Sequence, residues 1–291
     1  MNRPLRALAL LLTTLLTVLP LASCGARDER ETVAVTIPPE AAFVRAVAGD
    51  DFRILTMVPP GYSPEAYEPT VRTMMRFSDA RLFFSIGMPV DELTLIPACP
   101  EGTRHVALDG VVSAAYPDLL IDGGRDPHIW LSPSRAALMV AAIADELSLL
   151  RPDRAAVYRK NAAAYIAAIG ESDSRIRAAI DDSGITEFMV YHPAFGYFAD
   201  EYGLTMYALE EHGKEATAAR LAEAVEHARG RDIGVIFYQA ETDGRQAEAF
   251  AAELGGRAVM LEPLSEQYLE NLEKMAEAIA DGKGETVGTC N

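Results

Sequence analysis

Apolar positions along this chain fall into short runs rich in Val, Ile, Leu and Phe, separated by stretches with helical spacing. In the first half, runs at 32–37, 52–58, 81–86 and 105–108 predict strands, with helices over 40–48 and 70–80. Gly49 closes the first helix and Pro59-Pro60-Gly61 stops the second strand, since glycine accepts positive φ and proline cannot donate to a ladder. The rhythm returns later. Strands over 187–191, 204–208, 232–238 and 257–261 alternate with helices over 194–202, 215–229, 243–254 and 265–280. Strands spaced by helices of this length form parallel βαβ units, so the pattern predicts an α/β chain of two lobes.

From 132 to 182 no strand signal occurs, only Ala-rich helix formers. Beyond Pro152, apolar residues recur at Tyr158, Ala162, Tyr165, Ile169, Ile176 and Ile180, a spacing that keeps one stripe on one helix face. A helix of about 28 residues there would be about 40 Å long, enough to run beside both lobes. Gly184 marks its stop, and Gly170 weakens its middle by about 1 kcal/mol relative to Ala. The expected organisation is an export signal over 1–24, a tether over 25–31, a first lobe over 32–151, a linking helix over 152–183 and a second lobe over 184–291. A stiff connector predicts small rearrangements around the lobes' loops rather than wide hinge closure.

The opening of the chain is of a different kind. Arg3 and Arg6 precede an apolar stretch over 8–19, and Leu21-Ala22-Ser23-Cys24 closes it. A short basic segment, an apolar stretch and small residues at the end make an export signal. Leu-Ala-Ser-Cys resembles a bacterial lipobox, which implies that Cys24 is lipidated and tethers the protein outside the cell membrane. An uncleaved anchor helix is the competing reading. Elsewhere no run approaches the roughly 18 apolar residues of a membrane span. Of 291 residues, 49% are hydrophobic and 24% charged, and the formal net charge is −17. This is a globular composition whose acidity disfavours nucleic acid and anionic head groups as partners. Membrane contact is expected through the lipid anchor only, and a monomer is expected. Cys99 and Cys290 are the remaining thiols. An oxidising compartment permits their pairing, while the penultimate position of Cys290 argues against it.

Candidate chemistry lies at strand ends. His128 stands in Asp126-Pro127-His128-Ile129-Trp130-Leu131-Ser132-Pro133, and His192 follows a predicted strand in Tyr191-His192-Pro193-Ala194. Glu262 stands at another strand end in Leu261-Glu262-Pro263-Leu264, and Glu65 follows the second strand in Ser63-Pro64-Glu65-Ala66-Tyr67-Glu68-Pro69. Ligands of open α/β sheets bind outside the carboxyl ends of strands. Two donors from each lobe at one edge therefore suit a cation held in a cleft, and His with carboxylates is a donor set for Zn²⁺ or Mn²⁺. His105, His212 and His227 sit in settings that read as structural or solvated.

The Asp126–Pro133 motif, His192-Pro-Ala-Phe-Gly-Tyr-Phe-Ala-Asp-Glu-Tyr-Gly203 and Leu261-Glu-Pro-Leu264 together resemble the cluster A-I solute-binding proteins, the zinc- and manganese-binding receptors of ABC importers. The resemblance covers essentially all of residues 32–281. It implies two lobes of four-stranded parallel sheet flanked by helices, joined by one long helix. It also implies one metal ion bound between the lobes and delivered to a permease with its ATPase. Position by position it assigns ligand roles to His128 and His192, puts Glu262 where the family usually has Asp, and puts Glu65 where many members have His. Two readings stand open for Glu65: coordination through oxygen, which is the expectation, or a side chain turned away that leaves three protein ligands plus water. The His- and acid-rich loop that many zinc receptors carry before the second motif is absent here; only Ile121-Asp-Gly-Gly-Arg125 occupies that stretch.

Carboxylates make the set harder than three imidazoles and raise its tolerance of Mn²⁺, although Zn²⁺ outranks Mn²⁺ at almost any such site. The imidazoles bind only when unprotonated, so affinity is expected to fall below pH of about 6.5. Asp126, Glu68, Gln239 and Glu241 are candidates to orient the rings. An enzyme is the competing class, a zinc hydrolase with Glu65 as base. The sequence has no His-Glu-x-x-His, nucleophile elbow, P-loop or dinucleotide fingerprint to support it. A metal-stabilised surface adhesin is the remaining alternative; the resemblance includes proteins so described.

Overall fold

The computed structural model describes residues 30–121, 123–210 and 216–282. The expected lipidation at Cys24, most of the tether, His212 and Cys290 lie outside these residues. Cys99 is a free, half-buried thiol.

In the first lobe, β1 (Thr32–Val35) is buried at all positions, as expected of a central parallel strand covered on both faces. It pairs with β2 (Arg53–Thr56) and β3 (Ala80–Ser85), and β3 pairs with β4 (Arg104–Ala107), all parallel, in the order β2-β1-β3-β4. The intervening helix α1 (Pro38–Ala48) begins before the predicted 40 because Pro38 and Pro39 occupy its first turn, where a missing N–H costs nothing. Helix α2 (Val71–Phe77), capped by the Thr70 hydroxyl, ends sooner than predicted. Leu108 does not end a strand; buried, it starts α3 (Leu108–Ser113). Two short features carry no sequence period: a π-helical turn at Asp91–Leu95 and an antiparallel hairpin of β5 (Leu120–Ile121) and β6 (Gly124–Arg125).

Two helices follow, α4 (Pro133–Leu150) and α5 (Ala155–Ser183). With 29 residues, α5 is about 43 Å long. It buries Tyr158, Ala162, Ile169, Ile176 and Ile180 as the spacing predicts, leaves Tyr165 half-buried, and stops at Gly184 in the left-handed region (φ 60°). The second lobe sets β7 (Glu187–Val190), β8 (Thr205–Ala208), β9 (Val235–Gln239) and β10 (Arg257–Leu261) in the parallel order β10-β9-β7-β8. Around them pack α6 (Gly196–Tyr202), α7 (Ala218–Gly230), α8 (Arg245–Leu254) and α9 (Tyr268–Ala280).

One apolar core runs through both lobes, and a smaller one lies between the second sheet, α7 and α8. Trp130 anchors the loop before α4: its indole Nε1 donates to the Pro263 carbonyl at 2.8 Å, and the Tyr268 hydroxyl donates to the Trp130 carbonyl at 2.7 Å. A loop of the first lobe is thereby fastened to the loop that follows β10. Chain order reverses between β1 and β3 and between β7 and β9, so each sheet offers a crevice at its carboxyl edge. Among the described residues no helix is long and apolar enough to cross a membrane.

Candidate metal centre

Three of the four predicted ligands meet. Glu65, His128 and His192 each offer one ligand atom, all within 4.8 Å of one another. Glu65 reaches the site from the loop after β2, held by backbone turns over 59–66. Its Oε1 lies 3.0 Å from His192 Nε2 and 3.6 Å from His128 Nε2. Tetrahedral zinc with bonds of about 2.0–2.1 Å places neighbouring ligand atoms about 3.3 Å apart, so the spacing fits such an ion with little movement. Both rings are buried, while the Glu65 side chain is one-third exposed.

Each imidazole is aimed from behind by a carboxylate. Asp126 Oδ1 accepts from the His128 backbone N–H at 2.9 Å and from its Nδ1 at 2.8 Å. Glu210 Oε2 accepts from His192 Nδ1 at 2.8 Å. An ionised carboxylate only accepts, so Nδ1 carries the proton in both rings and Nε2 is presented to the site. Asp126 is itself fixed: its backbone N–H donates to Leu119 at 2.8 Å, and a Cβ on Gly196 would lie 2.5 Å from its Oδ2. The glycine of the His192–Gly203 motif is thus the space that the first lobe's Asp126 needs.

Burial favours a neutral His192 ring, yet hydrogen bonds to Glu210 and Glu65, with their charges, push it up to about 9. Burial also opposes the charge on Glu65, but the hydrogen bond and charge of His192, with His128 beyond, hold its carboxyl below the usual range. Without a cation, the centre is therefore an imidazolium between two carboxylates.

The other sequence candidates divide. Asp126 is hydrogen-bonded to His128, and Gln239, buried at the end of β9, lines a small recess with Glu65, His128 and Trp130. Glu68 is exposed. Glu262 is not brought into the group of three. It stands exposed just past the end of β10, after exposed Met260 and buried Leu261. Its carbonyl, not its carboxylate, is tied down, by Asn271. Glu241 is half-buried, and burial with the nearby Glu262 charge pushes it up. Glu210 was missed. Its signal was its place at the carboxyl edge just past β8, one strand over from His192, hidden by a neighbouring acid and histidine that read as a solvated loop. His105 and His227 are occupied elsewhere, by Ser85 and Glu187.

Over residues 33–282 the chain matches the family described as zinc-uptake complex component A, periplasmic. It is 28% identical over 281 residues to the zinc-binding lipoprotein AdcA of Streptococcus pneumoniae strain R6, covering 87% of this chain and 56% of that protein. It is 26% identical over 273 residues to the high-affinity zinc uptake system protein ZnuA of Bacillus subtilis, covering 87% and 84%. The chain spans about half the length of the AdcA relatives. A crystal structure of ZnuA superposes with a TM-score of 0.82 at 27% identity, covering 88% of this chain and all of that one.

Proposed function

The chain belongs to the family of periplasmic zinc-uptake components, a family of metal receptors and not of enzymes, and from that premise we propose that Glu65, His128 and His192 together capture one divalent cation outside the cytoplasm. The observation that carries the reading is the convergence of two Nε2 atoms on one carboxylate oxygen. Glu65 ligates rather than turning away, and Glu262 stays outside the set. Two nitrogens, one oxygen and an open fourth position suit zinc, and manganese, with its preference for more oxygen donors, binds more weakly. The relatives' names, zinc-binding and zinc uptake, support the same cargo.

Capture is followed by hand-over to an ABC permease and its ATPase, with Cys24 lipidated so that the receptor stays at the membrane. In this reading the lobes comprise 32–151 and 184–291, with the connector over 152–183 between them. Zinc titration followed by fluorescence tests the reading. Trp130 is the sole tryptophan, and its ring lies 5.3 Å from that of His128. One equivalent of zinc is expected to change its emission, and His192→Ala or Glu65→Ala to weaken binding at least 100-fold. Equal affinity in both variants would remove the site.

A further inference from the structure

The triad opens on a space much larger than an ion requires. A cavity of about 450 Å³ adjoins Glu65, His128 and His192 and continues past Gly87, Pro89, Leu93 and Arg125. A water molecule takes about 30 Å³ of liquid, whereas sites for small organic ligands begin at about 300 Å³. The walls are of two kinds. Pro89 and Leu93 supply apolar surface, Leu93 being 79% exposed. Arg125 supplies a guanidinium fixed in place: Asp109 Oδ2 holds its Nη1 at 2.6 Å, and its Nη2 lies over Gly87, where a Cβ would come within 2.1 Å. Gly87 leaves the room that this pose needs. Asp109 engages one edge of the fork, and an arginine carries five donors. Among the described residues, exposed Glu92 is the acid that lines this cavity besides Glu65.

Three protein donors leave tetrahedral zinc one open position. One directly bound carboxylate leaves the divalent ion with net positive charge among its ligands. Resting on the zinc reading above, we propose that this cavity seats a small carboxylate chelator, of the size of a di- or tricarboxylic acid, which fills the open position and places a second carboxylate on Arg125. The substrate is then a metal–carboxylate complex rather than the bare ion. The planar fork of arginine recognises carboxylates through paired hydrogen bonds. No other basic residue lines the cavity among the described residues.

The test is native mass spectrometry of the full chain loaded with zinc and titrated with citrate, alongside zinc affinity measured with and without citrate. A protein–zinc–citrate species is expected. Its apparent zinc affinity should fall at least tenfold less than citrate's own competition for zinc dictates. Arg125→Ala is expected to lose the ternary species while binding zinc in citrate-free buffer within threefold of the parent. Leu93→Glu, a change at an exposed position that adds charge to the wall, is expected to do the same without touching the Asp109 pair. Zinc bound one-to-one with no ternary species, and affinity falling fully as competition dictates, would overturn the chelator and leave the zinc reading intact. Absence of zinc binding in citrate-free buffer would overturn both.

Discussion

At the residue scale the proposed capture sets a proton and a metal ion in competition for one imidazole. His192 is held at about 9 by Glu210 and Glu65 against the cost of burial. At neutral pH its Nε2 is therefore protonated until a cation displaces that proton. The expectation from an ordinary histidine, loss of affinity only below pH of about 6.5, changes accordingly. Zinc affinity is expected to rise about tenfold per pH unit from neutrality up to about 9 and then level off, with about one proton released per ion. Calorimetry in buffers of different ionisation enthalpy measures that release; affinity flat between pH 7 and 9 would contradict it. The carboxylates behind the rings should matter nearly as much as the ligands. Asp126→Ala and Glu210→Ala are each expected to lower zinc affinity about 10–100-fold, and Glu262→Ala to leave it within about threefold. Competition against a fluorescent zinc chelator separates these outcomes. His128 and Asp126 were both legible in one motif; Glu210 was not, because its partner is 18 residues away and on another strand.

At the element scale the first sheet's crevice is closed by buried acids. The Thr36 and Ile37 N–H groups donate to Glu40 Oε2 at 3.0 and 2.9 Å, while Glu40 Oε1 has no partner among the described residues. Burial, together with the Asp91 charge, pushes Glu40 well up. Asp91 accepts from Thr36 Oγ1 at 2.5 Å and from the N–H groups of Ile86, Gly87 and Met88 at 3.1 Å; burial nevertheless pushes it up to about 6. Asp91 thus shapes the turn after β3 that walls the cavity, and Glu40 shares Thr36 with it as a partner. The unfolded chain ionises Glu40 near 4.5. Its contribution to stability is full below that pH and declines as pH rises toward the folded value. Glu40→Gln copies the neutral form. It is expected to keep stability within about 1 kcal/mol at neutral pH and to reduce that decline, whereas Asp91→Ala should cost about 3 kcal/mol by leaving buried N–H groups unpaired. Urea unfolding at pH 5 and 8 distinguishes the two. Periodicity gave no hint of this network, since Glu40 is a lone acid in an apolar stretch and Asp91, next to Glu92, reads as part of a solvated pair.

Across the whole molecule, continuity of packing limits movement. The apolar core passes from the first sheet through α1, α4, α5 and α9 to the second. The Trp130–Pro263 and Tyr268–Trp130 hydrogen bonds tie the lobes beside the metal centre. Arg45 pairs with Glu266 at 2.7 Å, and Arg135 with Asp200 at 3.1 Å. Rotation about a hinge would have to break these contacts together with the face buried by α5. Zinc loading is therefore expected to leave the radius of gyration unchanged within the error of small-angle scattering, with the response confined to loops such as that carrying Glu65. A clear compaction on loading would show that the lobes close as bodies.

The sequence alone determined two βαβ lobes, a long connector, and the motifs that carry His128, Asp126 and His192. These follow from periodicity and local backbone chemistry, which act within a few residues. It placed β3, β4, β7, β8 and β10 within one residue of their bounds and put Glu65 on the loop after β2. Tertiary structure decided which donors lie together. That depends on where strand ends come together, and so Glu262 stays out of the group of three while Glu210 comes in behind His192. It also decided that Leu108 begins a helix, that Gly196 makes room for Asp126, and that an Arg125-lined cavity lies beside the metal centre. Each of those outcomes joins residues distant in the chain, and no local spacing encodes such a meeting.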